Sequence, residues 1–229
     1  ALTSITAQNT LEVSGIHDIP ADMIAKQIDA VVNDIGVDAS KTGMLSNQKI
    51  IKTVAEKIEH RDLKTVVDPV MVTKRGDKLL ADNAVKSMLQ DLVPKAVLVT
   101  PNIREAQMMT GKEIDSVEDM KEAAEEIYDF GPKNVVIKAG RADDRVVDVF
   151  YDGRMFDEMW GEVLLGGKHG SGCTYSAAIT ANIAKGRNVR ESVSIAKTYI
   201  DEAIKEGFKL GNGEHPVNHM VLVDQYRKK

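Results

Sequence analysis

The run His169-Gly170-Ser171-Gly172-Cys173-Thr174 is a glycine-rich turn that leads directly into the small-residue stretch Tyr175-Ser176-Ala177-Ala178-Ile179. Glycines let a backbone approach a ligand closely and adopt left-handed dihedrals. The first free N–H groups of the helix that follows, aligned with its dipole, then form an anion site. The turn is not a P-loop, because no Gly-Lys-Ser/Thr follows at the required spacing. Cys173 is the only cysteine of the chain. Near a helix start its thiolate is favoured, and it can act as base or nucleophile. The plainer alternative is a small buried apolar residue.

A second set of reactive side chains directly follows short apolar runs. Asp68-Pro69-Val70-Met71 comes after Val66-Val67, Thr100-Pro101-Asn102 with Glu105 after Leu98-Val99, and Lys138-Ala139-Gly140 after Val136-Ile137. In an open parallel sheet, ligands bind beyond the carboxyl ends of the strands. Two acids, an amide and a lysine thus converge on one rim. Two carboxylates and an asparagine suit Mg2+, which takes oxygen ligands and keeps several waters, and the lysine balances phosphate charge. Taken singly, each is also a polar residue ending a strand.

These residues need a frame. The apolar runs Thr65–Val67, Ala96–Val99 and Asn134–Ile137 read as strands buried on both faces. Between them lie helical stripes. Ile24, Ile28, Val31 and Ile35 follow Pro20, a good first-turn residue, and Ile50, Ile51, Val54 and Ile58 follow a capping Asn47. Ala84, Val85, Met88, Leu89 and Leu92 form a third, and Ser116 with Asp119 resembles a capping box ahead of Met120, Ala123, Ala124 and Ile127. Val146–Trp160 alternates around Asp152-Gly153, a hairpin signal. Two helices, Thr174 to about Lys185 and Val189–Glu206, close the chain. The alternation predicts an α/β fold with a mainly parallel sheet and helices on both faces.

The ordered set Thr6-Ala7-Gln8-Asn9-Thr10, Lys41-Thr42-Gly43-Met44, Asp68-Pro69-Val70-Met71, Thr100-Pro101-Asn102 with Glu105, Gly170–Thr174 and Pro216-Val217-Asn218-His219 resembles the hydroxymethylpyrimidine and hydroxymethylpyrimidine-phosphate kinases of thiamine biosynthesis, within the ribokinase superfamily. The resemblance runs from Ala1 to about Met220 and implies a single ribokinase-like three-layer domain over residues 1–229. It implies an anion hole at Gly170, Ser171 and Gly172 with Cys173 as general base. Gln8 matches the residue that hydrogen-bonds the pyrimidine, and Met44 and Val70 match its pocket lining. Asp68 and Glu105 match the Mg2+ region, and Lys138 and Asn102 match nucleotide contacts. ATP and Mg2+ are the implied cofactors, and a homodimer the implied assembly. The chain departs from the family pattern at Ser171 (usually Thr), at Leu165-Gly166-Gly167-Lys168, at Lys138-Ala139-Gly140-Arg141 (usually Lys-Gly-Gly-His) and at His215 (usually Gly). It also departs at its start, where the family carries a strand and a Ser/Gly-rich loop. Without that strand, unpaired backbone edges are expected in the core.

Composition narrows the field of partners. The 229 residues carry 30 Lys+Arg and 35 Asp+Glu, a net charge of −5 with the signs interspersed, so no basic stripe points to nucleic acid. A lone cysteine suits a reducing cytoplasm, and no apolar run of about eighteen residues suits a membrane. Two other functions stay open. A pyridoxal/pyridoxine kinase also takes a flat ring bearing a hydroxymethyl group. A catalytically silent ligand-binding module is the reading from another class.

Overall fold

The computed structural model describes residues 1–71, 80, 82–167 and 169–223. Lys168 of the departing glycine segment lies outside them. A six-stranded sheet in the order β3-β4-β5-β6-β7-β8 organises the chain. Strands β3 (Ser40–Thr42), β4 (Thr65–Val67), β5 (Leu98–Val99) and β6 (Val135–Ala142) run parallel, and β7 (Arg145–Tyr151) and β8 (Phe156–Glu162) continue the sheet antiparallel. The parallel part runs inward from the β3 edge, and its inner strands β4 and β5 are apolar on both buried faces.

Alternate residues of each strand face two helical layers. Val67, Val99, Val135, Ile137, Val147 and Val149 pack against α1 (Ala21–Asp34), α2 (Gln48–His60), α3 (Asp82–Ser87), α4 (Ile103–Thr110) and α5 (Val117–Asp129). Val66, Leu98, Val136 and Phe150 pack against α6 (Ser171–Ala184) and α7 (Val189–Lys205). This is the expected three-layer ribokinase-like arrangement.

Local signals decide where the elements start. Asn47 accepts the Ile50 N–H at 3.0 Å and caps α2. Ser116 and Asp119 form the capping box of α5. The third stripe begins as α3 but passes into a π-helical turn, Met88–Leu92, and then a 3-10 turn, Val93–Lys95. Pro94 forces the change, having no N–H to continue the ladder.

Two expectations need correction. Pro20 stands at the cap position of α1, outside the first turn. Only part of the α1 stripe is buried: Ile24 is at 0% exposure, whereas Val31 is at 42% and Ile35 at 78%. Val31 faces a cavity of about 350 Å3 beside β3, lined also by Ile28, Ile58, Lys41, Thr42 and Met44 among others, whereas Ile35 lies past the last helical residue, at the C-cap. β3 is the sheet's edge there, and the buried Thr42 hydroxyl has no hydrogen-bond partner among the described residues.

A further element escaped the periodicity. β1 (Ser4–Gln8) and β2 (Val13–Asp18) form an antiparallel hairpin apart from the main sheet. Its tip docks on the C-terminal loop, where the Thr10 carbonyl accepts the Glu214 N–H at 2.9 Å.

Candidate active site

The polar residues that follow β4 and β5 meet Lys138, which lies inside β6 and not at its end as the apolar run Asn134–Ile137 suggested, because the strand continues to Ala142. Asp68 is 2% exposed. Its Oδ1 accepts from Lys138 Nζ at 2.8 Å and from the Thr100 hydroxyl at 3.1 Å, and its Oδ2 accepts from the Ser176 hydroxyl at 3.1 Å. One carboxylate thereby ties together the ends of β4 and β5, the middle of β6, and α6. Burial alone would raise its pKa, but the charge and hydrogen bond of Lys138, with help from Lys41 and Thr100, hold it below the usual carboxylate range. Burial likewise disfavours the Lys138 ammonium, yet Asp68 and Glu105 keep its pKa above the ordinary value, so the lysine stays charged.

The glycine turn completes the rim. Gly170 precedes α6 with φ 78° and no side-chain cap, a left-handed conformation that favours glycine. A Cβ on Gly170 would meet nothing within 4 Å, so the turn opens outward. A Cβ on Gly172 would lie 3.5 Å from Lys138 Nζ. The ammonium therefore sits against the uncapped start of a 14-residue helix, and together they form a positive site for an anion. Ser171 occupies the first helical position, half-buried.

Cys173 stands at the same helix start and is exposed. The sequence led us to expect a depressed thiol pKa there; it is instead raised. Crowding by surrounding protein is the largest cause and the Asp68 carboxylate the next, and together they outweigh the pull of Lys41 and Lys138.

Asn102 and Glu105 have a structural task besides any chemical one. The Asn102 side chain accepts the Glu105 N–H at 3.0 Å and Glu105 Oε2 accepts the Asn102 N–H at 2.9 Å, the capping box of α4. Glu105 is 3% exposed, and burial pushes its pKa up to about 7 against the opposing pull of Lys138. Among the described residues no group of three or more His, Cys, Asp or Glu gathers as a metal cage. With both Asp68 oxygens engaged, the donor set fits an ion held chiefly by water and phosphate, which is how Mg2+ is commonly bound.

The family model for phosphomethylpyrimidine kinase matches residues 1–218. This chain belongs to the phosphomethylpyrimidine kinase family. It is accordingly a phosphotransferase. It is 40% identical over 226 residues to the hydroxymethylpyrimidine/phosphomethylpyrimidine kinase of Bacillus subtilis, covering 97% of this chain and 83% of that protein. It is 44% identical to a thiamine biosynthesis bifunctional protein of Geobacter sulfurreducens, matching all of this chain and 47% of that one, so it spans about half of that relative. Its structure superposes on an ADP complex of Bacillus subtilis pyridoxal kinase with a TM-score of 0.90 and 38% identity, over 97% of this chain and 86% of that one.

The phosphomethylpyrimidine kinase residues that motif matching assigned to the ring lie on three different segments, and Val70 alone is joined to Asp68 by a hydrogen bond. Gln8 ends β1 at an irregularity in the hairpin register and is exposed. Met44 is half-buried, lines the cavity beside β3, and accepts the Thr3 hydroxyl on its carbonyl at 2.9 Å. Val70 is half-buried in the turn after Asp68, its N–H bonded to the Asp68 carbonyl at 2.9 Å. Sequence reasoning missed Lys41, Thr100 and Ser176 as members of the charged network. Lys41 and Thr100 lay inside the quoted motifs, whereas nothing in the sequence tied Ser176 to Asp68.

Proposed function

We propose that this kinase transfers the γ-phosphoryl group of ATP to the hydroxymethyl group of hydroxymethylpyrimidine, and then phosphorylates the monophosphate to the diphosphate, in thiamine biosynthesis. The observation that carries the reading is the buried Lys138–Asp68 pair set against the Gly170–Cys173 helix start. Phosphoryl transfer needs alignment and charge neutralisation more than covalent chemistry, and this arrangement supplies both. The backbone N–H groups at Gly170, Ser171 and Gly172 would hold the moving phosphoryl group, with Lys138 and Asn102 on the nucleotide side. The alcohol oxygen attacks phosphorus, the bond to the β-phosphate oxygen breaks, ADP leaves, and the thiolate form of Cys173 takes the alcohol proton. Gln8, Met44 and Val70 would hold the ring. Asp68 and Glu105 would orient the water shell of Mg2+, which when bound neutralises phosphate charge.

Exposed Ile5, Leu11 and Ile16 on and beside the hairpin support a homodimer, whose mass light scattering would read. A cytoplasmic setting is part of the proposal. Its support is the lone cysteine, together with the lack, among the described residues, of a helix long and apolar enough to cross a membrane.

The likeness to a pyridoxal kinase at a TM-score of 0.90 favours a second reading, phosphorylation of pyridoxal. A side-by-side assay with ATP and Mg2+ separates them. Hydroxymethylpyrimidine converted to mono- and then diphosphate supports the first reading. Turnover of pyridoxal alone overturns it, and turnover of neither removes both.

A further inference from the structure

Lys138 reaches Asp68 from an irregular place in β6. The β6–β7 ladder pairs Ile137 with Val149 and then Gly140 with Val147. Lys138 and Ala139 thus stand opposite the single residue Asp148, which defines a β-bulge. Ala139 adopts φ 61°, a left-handed conformation that an L residue with a Cβ enters only under strain. The family's usual glycine would enter it freely. Something must therefore hold this alanine in place. Asp148 does so: its Oδ1 accepts the Ala139 N–H at 2.7 Å.

Asp148 is itself held. It is 3% exposed, and its Oδ2 lies 3.4 Å from Lys197 Nζ, which also pairs with Asp201 at 3.1 Å. The Tyr175 hydroxyl of α6 is buried beside this carboxylate. On the opposite side the bulge is pinned by Gly140, where a Cβ would fall 2.2 Å from Met120 Sδ of α5. The Lys138 N–H is bonded to the Pro101 carbonyl at 2.9 Å. Bulges recur beside active sites because they re-aim a side chain.

We propose that Asp148 is a positioning residue for phosphoryl transfer, holding the strained Ala139 bulge so that Lys138 points at Asp68 and the Gly172 turn. This rests on the reading that Lys138 serves the phosphoryl site. Asp148 touches no substrate; it acts through one backbone N–H. Misplacing a charged group by about an ångström can lower turnover by about a hundredfold.

The test is a double-mutant cycle on turnover with ATP, Mg2+ and whichever of hydroxymethylpyrimidine or pyridoxal the enzyme accepts. Asp148→Ala is expected to lower kcat by about ten- to a hundredfold, with KM for the ring substrate unchanged. In the Lys138→Ala background the same substitution is expected to change kcat by less than about twofold, because coupled residues are non-additive. Asp148→Asn keeps an oxygen for the Ala139 N–H and is expected to stay within about threefold of wild type. Where the alanine variant does not fold, Asp148→Ser, too short to reach that N–H, takes its place in the cycle. Multiplicative losses in the cycle, or an asparagine variant as poor as alanine, overturn the inference while leaving the role of Lys138 intact. A Lys138→Ala enzyme as active as wild type removes the role of Lys138, and the inference with it.

Discussion

The rim around Asp68 and the hairpin carrying Gln8 are built on opposite principles. At the rim, one buried carboxylate accepts from Lys138, Thr100 and Ser176, so its position is fixed from three elements at once. The hairpin is a two-stranded ribbon with Gln8 exposed, tied down at its tip by Thr10 against the C-terminal loop. Two-stranded ribbons are marginally stable alone. Groups that meet developing charge must be preorganised, because reorganising them would add to the barrier. A group that only recognises a flat ring can tolerate a mobile support. The contrast fits the proposed division, with transfer at the rim and ring recognition at the hairpin.

Asp68→Ala should have the largest effect. It strands a buried lysine, a loss typically of about 3–5 kcal/mol, and it should abolish turnover. Denaturant unfolding and a kinase assay read both, and a stable, active variant would break the contrast. Cys173→Ser comes next, with turnover lower by about ten- to a thousandfold. The thiol pKa is raised, so the thiol is neutral at neutral pH and thiolate grows as pH rises. Wild-type kcat should therefore keep rising beyond about pH 8.5, the reference thiol value, and the serine enzyme should lose that rise. Matching pH profiles would reduce Cys173 to a packed neighbour of the anion site.

Glu105→Gln sharpens the same side. Glutamine keeps an oxygen for the Asn102 N–H, so the cap of α4 and the melting temperature should survive. Apparent Mg2+ affinity should fall by about tenfold, and a magnesium series should partly restore turnover. No dependence on magnesium would leave Glu105 a helix cap and nothing more. Gln8→Ala should have the smallest effect, about 1 kcal/mol on the ring substrate and none on ATP. Titration of both ligands checks it; a loss for ATP would place Gln8 outside the ring site.

The same contrast governs what could be read in advance. Apolar runs buried on both faces stop abruptly, so Asp68, Thr100 and Lys138 stood out as the first polar residues after them, although β6 itself continues past Lys138 to Ala142. The caps at Asn47 and Ser116 were legible because their partners lie three residues on. Asn102 and Glu105 carry that spacing too, and their capping box went unrecognised beside the metal reading. The hairpin did not show. Ser4–Gln8 is mostly small and polar, and its pairing with Val13–Asp18 leaves most of both strands exposed. Nor did the bulge at Ala139, which depends on Asp148, nine residues on in the adjacent strand. The exposure of Val31 goes with the cavity beside β3, which no helical period encodes, and that of Ile35 with its place beyond the end of α1.

The division of labour is tested most directly by kcat and KM of Cys173→Ser and Gln8→Ala, measured in one assay at saturating ATP and Mg2+ with hydroxymethylpyrimidine varied. The account predicts that the serine variant loses kcat by at least about tenfold with KM little changed. It predicts that the alanine variant raises KM by about fivefold with kcat kept. The reverse pattern, or an equal loss of kcat in both, would contradict it.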